Sequence, residues 1–113
     1  RSGHILGGFC GSHGLCGAAA GAGIFFSIIS KNTPLKQEEW KNSNLLTSVC
    51  LYEIALKGGP RCCKRDSFIA IYEAVNFCNK ILSIQIPVIS KLYCNFYNLN
   101  KECIRNNCSF YRK

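Results

Sequence analysis

The alternation of apolar and polar positions divides the chain into three helical stretches and several irregular ones. Residues 15–30 are apolar on every side, a pattern typical of a helix buried all round. Residues 7–14 hold four glycines without a period, which predicts a loop. Each glycine inside a helix costs about 1 kcal/mol relative to alanine. We therefore expect another backbone, or a bulky inorganic group, to lie close to Gly17, Gly21 and Gly23.

A second helix is predicted from Thr33 to about Lys57. Thr33 suits the N-cap and Pro34 the first helical position, while Gly58-Gly59-Pro60 ends the helix. Helical spacing assigns it a buried stripe. The stripe comprises Trp40, Leu46, Val49 or Cys50, and Ile54.

A third helix is predicted to begin near Asp66, whose carboxylate can cap the following amides, and to end close to Ser83. Its buried stripe is expected to be Phe68, Ile71, Val75, Cys78 and Leu82. Cys50 and Cys78 both fall on apolar stripes, so we interpret them as core residues.

The C-terminal third lacks a helical period. Residues 83–92 alternate loosely around Pro87, which predicts an extended connector or an edge strand. Residues 93–113 have too little apolar content to order themselves, so something must tie them down. The pattern thus predicts a mainly α fold, a small bundle of three or more helices with a cysteine-rich, irregular C-terminal tail.

Composition indicates one folded domain, since 48% of the 113 residues are apolar and only 18% are charged. The chain lacks methionine, so we expect residues 1–113 to be a fragment of a longer chain. The strongest membrane candidate spans only residues 16–29, too few for a bilayer. We expect a cytoplasmic protein with no membrane partner.

Positive charge is concentrated in the C-terminal half. The net charge is +8, and ten of the 14 Lys and Arg residues lie from Lys57 onward, with three of the six acidic ones. Six of the nine cysteines lie there too. This half could be a solvated basic surface, or it could bind nucleic acid or an acidic partner. A third alternative is that negatively charged thiolates offset its positive charge.

The nine cysteines are the main candidates for chemistry. An odd number leaves one thiol over in a disulfide framework, whereas metal ligation has no such requirement. Cluster cysteines lie in glycine-flanked loops because backbone amides donate hydrogen bonds to cluster sulfurs. The leading hypothesis is an iron–sulfur cluster, with the following ligands: Cys10, Cys16, Cys62 and Cys63.

Other uses of these thiols stay open. The tail cysteines Cys94, Cys103 and Cys108 could form a second site or contribute to structural zinc, the main rival to a cluster. The adjacent pair Cys62-Cys63 seldom bridges itself without strain, so the two sulfurs should meet different partners. A catalytic thiol in this pair is a further alternative.

Basic side chains surround the adjacent pair. Arg61, Lys64 and Arg65 favour the thiolate form and could support a ligand or bind an anion. His13, three residues from Cys10 and from Cys16, could ligate metal, relay protons or cap the next helix.

Several motifs together resemble a known family. They are Gly7-Gly8-Phe9-Cys10-Gly11, Cys16-Gly17-Ala18-Ala19, Thr33-Pro34-Leu35, Glu39-Trp40, Ser43-Asn44-Leu45, Gly58-Gly59-Pro60-Arg61-Cys62-Cys63-Lys64-Arg65-Asp66-Ser67 and Leu99-Asn100-Lys101-Glu102-Cys103. The chain resembles an uncharacterised cysteine-rich family of anaerobic archaea and bacteria, sometimes attached to methyltransferase-like domains. A fainter similarity, through Cys10 and the Cys16-Gly17-Ala18 helix start, is to redox proteins with a glycine-cysteine-alanine motif.

What the resemblance implies is modest. It makes motif positions of six cysteines: Cys10, Cys16, Cys62, Cys63, Cys103 and Cys108.

The expected function is redox or electron transfer through an iron–sulfur centre, serving a redox partner or a fused enzyme domain. The alternatives are a zinc-stabilised module that binds an acidic partner or RNA, and a thiol redox enzyme.

Overall fold

The computed structural model of the protein describes residues 1–88 and 92–111. Over these residues it has four α-helices: α1 (Phe9–Ser12), α2 (Gly17–Ile29), α3 (Glu38–Lys57) and α4 (Cys63–Ile81). Short 3₁₀ turns occupy Ser2–His4, Tyr97–Leu99 and Arg105–Asn107. No strand occurs in the described ranges, so the predicted mainly α fold with an irregular tail is confirmed. Residues 89–91 of the predicted connector and 112–113 of the predicted tail lie outside the described residues.

The three long helices pack against one another around a small core. Its buried members are Ala19, Ala22, Phe26, Leu46, Cys50, Ala70 and Cys78. The Phe26 ring meets the edge of Phe77, with centroids 5.3 Å apart. Cys50 and Cys78 are fully buried, which confirms their interpretation as core residues. Among the described helices, none is both long and apolar enough to cross a membrane.

One glycine of α2 sets how closely α3 approaches. A Cβ at Gly23 would collide with Oγ1 of Thr47 and would lie 3.3 Å from the carbonyl oxygen of Ser43. No described atom lies within 4 Å of the corresponding position at Gly21, and Gly17 meets only Ile5, at 3.7 Å. The expected close approach of a second backbone therefore holds for Gly23 alone.

Both predicted helix starts are wrong by three or four residues. α3 begins at Glu38, because residues 33–36 form a turn in which the Lys36 amide donates to the Thr33 carbonyl at 3.2 Å. α4 begins at Cys63, and the Asp66 amide donates to the Cys62 carbonyl at 2.9 Å. Asp66 thus lies inside the first turn rather than at the cap. The predicted end of α3 at Lys57 is confirmed, with Gly58 in the left-handed region at φ 76°.

The predicted stripes are correct in part. Ile71 is 62% exposed and Trp40 is 50% exposed, so neither belongs to the core. The core-facing side of α4 instead carries Ile69 and Ala70. The reason is that α4 has two apolar sides. The second one, with Phe68, Ile71 and Val75, lines a groove of about 480 Å³ that the connector and tail also border.

A pair of alanine substitutions tests the contact between α2 and α3. Gly23→Ala should lower the free energy of unfolding by about 1–3 kcal/mol, because overpacking against Thr47 outweighs the gain in helix propensity. Gly21→Ala, in open space, should raise it by up to about 1 kcal/mol. Urea unfolding followed by helical circular dichroism measures both. Equal effects of the two substitutions would contradict the close approach at Gly23.

Candidate functional site

The cysteines outside the core gather around two cavities. The first, here called the tail cavity, measures about 320 Å³ and lies between the start of α4 and the tail. Five cysteines line it: Cys62, Cys63, Cys94, Cys103 and Cys108. The second, the loop cavity, measures about 240 Å³ and lies between the glycine-rich loop and the starts of α2 and α4. Three cysteines line it: Cys10, Cys16 and Cys63.

This arrangement divides the cysteines that the sequence predicted as one ligand set. Cys10 and Cys16 border the loop cavity, Cys62 borders the tail cavity, and Cys63 borders both. The division follows from the backbone at the start of α4. Cys62 is the extended N-cap residue, with φ −138° and ψ 100°, whereas Cys63 is the first helical residue.

A buried arginine fixes the turn that leads into the adjacent cysteines. The Arg65 guanidinium is 4% exposed, and its Nη2 donates to the carbonyl oxygens of Gly58, at 2.7 Å, and Pro60, at 3.1 Å. Its Nε lies 3.7 Å from Oδ1 of Asp66. Arg65 therefore binds the backbone just before Cys62, while its side chain also borders the tail cavity.

Backbone amides point at two of the tail sulfurs. The Phe96 amide lies 3.3 Å from Sγ of Cys94, and the Arg105 amide lies 3.4 Å from Sγ of Cys103. In each case the donor is two residues after the cysteine. Such amide–sulfur hydrogen bonds stabilise a thiolate and orient it toward a shared metal. The Cys94 amide in turn donates to the Phe110 carbonyl at 2.7 Å, which joins the two ends of the tail.

Aromatic and cation–π contacts hold the described part of the tail against α4. The ring of Phe110 meets the edge of Phe68, with centroids 5.3 Å apart. Lys64 Nζ lies 4.5 Å from the ring centroid of Phe96. Lys64 and Arg61, which flank the cysteine pair in the sequence, both border the tail cavity. Exposed aromatic and cation–π contacts contribute only about 0.5–1.5 kcal/mol each.

The loop cavity contains a thiol beside a buried carboxylate. Cys16 is the N-cap residue of α2, and its Sγ donates to Oδ2 of Asp66 at 3.7 Å. Burial raises the pKa of the Cys16 thiol, the amides of Ala19 and Ala18 oppose that shift, and the Asp66 charge adds to it. Burial also raises the pKa of Asp66, against the opposing effect of Arg65.

His13 lies away from both groups of thiols. Its ring stacks on Phe9, with centroids 4.3 Å apart, and its Nδ1 lies 2.6 Å from Oγ of Ser12. It is exposed and borders neither the tail cavity nor the loop cavity. These contacts are local ones between α1 and the residue that follows it, inside the segment that the sequence predicted as a loop.

The described residues show no compact single-ion site. Within residues 1–88 and 92–111, no three Cys, His, Asp or Glu side chains converge closely enough to hold one metal ion. A single zinc ion would draw sulfurs to about 2.3 Å from itself. The tail thiols instead stand around a cavity.

Sequence reasoning missed one functional candidate, Asp66. An acidic residue in the first turn of a helix is typically interpreted as a partner of the helix dipole. The available signal was its spacing, since Asp66 lies one turn after Cys63 and thus on the same side of α4. Its contact with Cys16 depends on how α2 packs against α4.

Fold and site together define a cysteine-rich, all-helical domain with thiol-lined cavities at the start of its last helix. The chain belongs to DUF5714, a family of unknown function, which matches residues 1–111. No curated protein and no solved structure has significant similarity to the chain.

The buried arginine gives a first test of the site. Arg65→Lys should lower the free energy of unfolding by about 1–3 kcal/mol, because one ammonium cannot replace both the two Nη2 hydrogen bonds and the Nε beside Asp66. Urea unfolding measures the loss. Arg61→Lys, at an exposed position of the same turn, is the matched control and should change stability little. Equal losses would contradict the anchoring role of Arg65.

Thiol labelling gives a second test. Burial, followed by the charges of Glu73 and Cys16, raises the pKa of Cys50 to about 11, and Cys78 is equally buried. Iodoacetamide at pH 8 should therefore modify the exposed Cys63 and leave Cys50 and Cys78 unmodified in the native protein. Peptide mass spectrometry identifies the labelled sites, and denatured protein is the control. Rapid native labelling of Cys50 would contradict the packing of α3 on α4.

Proposed function

We propose that the protein is an iron–sulfur domain that exchanges electrons with a partner, and that four cysteines hold its cluster. The proposed ligands are Cys62, Cys94, Cys103 and Cys108. One observation carries this assignment: all four line the tail cavity. Cys63 also lines the loop cavity, so we leave it out of the ligand set. The proposal moves the cluster from the set expected from sequence to the tail.

The surroundings of the four sulfurs support thiolate ligation. The amides of Phe96 and Arg105 are directed at Cys94 and Cys103. Cationic side chains of Arg61 and Lys64 border the same cavity and offset the negative charge of thiolates. Hydrogen bonds to sulfur and nearby charge are the means by which proteins set cluster potentials. The thiol donors, the amides directed at them and the nearby cations thus fit a cluster.

The cavity that the four cysteines line favours a cluster over zinc. A single zinc ion requires all four sulfurs about 2.3 Å from one point. Among the described residues no three such ligands converge on one point, and all four cysteines line a cavity of about 320 Å³. In a cluster, different iron atoms take different cysteines, so the ligands stand farther apart.

A cluster would also account for the order of the tail. The tail lacks a helical period and meets α4 through a few aromatic and cation–π contacts. A common centre bonded to three tail cysteines and to Cys62, the N-cap residue of α4, would tie the tail to that helix. This is the anchor that the sequence led us to expect.

When bound, the cluster would supply reversible one-electron transfer. The proposed centre lies in the basic C-terminal half, and Arg61 and Lys64 border its cavity, so we expect an acidic redox partner or fused enzyme domain to dock there. Free thiolate ligands persist in reducing compartments, so we place the domain in the cytoplasm of an anaerobic cell.

Anaerobic purification tests the proposal. The protein should be brown and should contain iron and acid-labile sulfide in stoichiometric amounts. Serine at any one of positions 62, 94, 103 and 108 should remove most of both, because each variant lacks one ligand. Iron and sulfide assays with electron paramagnetic resonance of the reduced protein measure the effect.

The adjacent cysteines provide a matched control. Cys63→Ser should keep its cluster, although it differs from Cys62→Ser by one position in the chain. Loss of the cluster from Cys10→Ser and Cys16→Ser, but not from the tail variants, would instead favour the loop cavity. Colourless protein that holds zinc after careful reconstitution would overturn the cluster and support a zinc-stabilised interaction module.

A further inference from the structure

The groove of about 480 Å³ beside α4, here called the side groove, is lined by none of the described cysteines. Its walls come from α3, α4, the connector and the tail, and most of the lining side chains are apolar or aromatic. Those on which the argument depends are Phe68, Ile71, Tyr72, Val75, Val88 and Phe110. A concave site of this size, with mainly apolar walls and a few polar groups, has the usual form of a small-molecule site.

Two carboxylates border the side groove, one from each of the helices beside it. Glu53 of α3 and Glu73 of α4 both line the groove, and both are half-buried. Within residues 1–88 and 92–111, neither forms an ion pair within 4.0 Å. Lys57, at the exposed end of α3, is the cation among the described lining residues. Two carboxylates and one ammonium give this lining a charge of −1 in a chain whose net charge is +8.

The two carboxylates disfavour each other's charge. Burial raises the pKa of Glu73, and the charge of Glu53 raises it further. After burial, the charge of Glu73 is the largest contribution to the raised pKa of Cys50 in the core. A cation near Glu53 and Glu73 would offset this repulsion, because an opposite charge stabilises the ionised form of a carboxyl.

We propose that the side groove binds a small organic ammonium ion, whose charged head pairs with Glu53 and Glu73 while its apolar body lies against α4. The lining charge favours a cation at a place where the rest of the chain is basic. The apolar walls favour a body that leaves water. Both carboxylates belong to the helical bundle, so this inference does not depend on the tail centre.

A bare metal ion fits the side groove less well than an organic cation. A calcium ion takes about 6–8 oxygen ligands. Among the residues that the structure describes, no three Cys, His, Asp or Glu side chains converge, and the remaining walls of the groove are largely apolar. An ammonium head needs only hydrogen-bond acceptors, and apolar walls suit the rest of an organic ligand.

Three probes that share one apolar body test the charge requirement: phenylbutylamine, phenylbutanol and phenylbutyrate. Isothermal titration calorimetry of the full, anaerobically purified chain near neutral pH measures each affinity. We expect the ammonium to bind at least about tenfold more tightly than the alcohol, because a charged hydrogen bond to a carboxylate adds affinity that a neutral hydroxyl does not. The carboxylate probe should bind most weakly. Equal affinities for the amine and the alcohol would refute the proposal.

Glu73→Gln removes the charge and keeps the shape of the side chain. The affinity for phenylbutylamine should fall about tenfold, to that for phenylbutanol, while the affinity for phenylbutanol stays unchanged. Circular dichroism checks that the variant is folded. Glu39→Gln is the matched control, because it removes the same charge from the first turn of α3, outside the side groove. An equal fall in Glu39→Gln would show that the probe responds only to the overall charge.

Nuclear magnetic resonance locates the bound probe. Phenylbutylamine should shift the signals of Tyr72 and Val75, which line the side groove. It should also lower the pKa of the Glu73 carboxyl, because the ammonium replaces a repelling neighbour with an attracting one. Shifts confined to residues outside the side groove, with the pKa of Glu73 unchanged, would place the probe elsewhere and contradict the assignment.

Two further measurements separate this proposal from its neighbours. Cys62→Ser should lose the cluster and keep the preference for the amine over the alcohol, since both carboxylates lie on α3 and α4. Sedimentation of the wild type tests a second copy of the chain as the occupant. A dimer that phenylbutylamine dissociates, and that Glu73→Gln weakens, would assign the side groove to the second copy and rule out the small ligand.

Discussion

The turn between α3 and α4 depends on one buried guanidinium. Arg65 reaches back from the first turn of α4 to the carbonyl oxygens of Gly58 and Pro60. Leaving a buried charge without partners costs several kcal/mol, so the backbone carbonyls and the nearby Asp66 are needed to keep Arg65 inside. The same contacts determine where the chain leaves the turn and where the next helix begins.

The position of that helix start determines which cavity each of the two adjacent cysteines borders. Cys62 has an extended backbone and Cys63 a helical one, so neighbouring side chains point to different surroundings. One borders the tail cavity alone, and the other also borders the loop cavity. Two cavities with different linings thus adjoin at a single peptide bond.

Helix bodies could be predicted from the sequence, but their starts and the grouping of the cysteines could not. The all-apolar run of α2 and the glycine stop of α3 are local signals, and both helices are present. The expectation that α2 is buried all round is wrong, because Phe25, Ile28 and Ile29 are exposed. Thr33-Pro34 forms a turn although it resembles a helix cap, and Ile71 is exposed because α4 has two apolar sides. Tail packing and contacts such as that of Cys16 with Asp66 determine which cavity each thiol borders. These contacts join residues distant in the chain, so local sequence patterns do not predict them.

The described tail consists mainly of irregular backbone, with two short 3₁₀ turns, whereas the core belongs entirely to α2, α3 and α4. The helices that give a strong far-ultraviolet signal are therefore separate in the chain from the tail that carries Cys94, Cys103 and Cys108. A preparation could display full helical ellipticity and a cooperative melt while its C-terminal segment is detached. Helicity reports on the bundle, and the state of the thiols must be followed by a probe of sulfur itself.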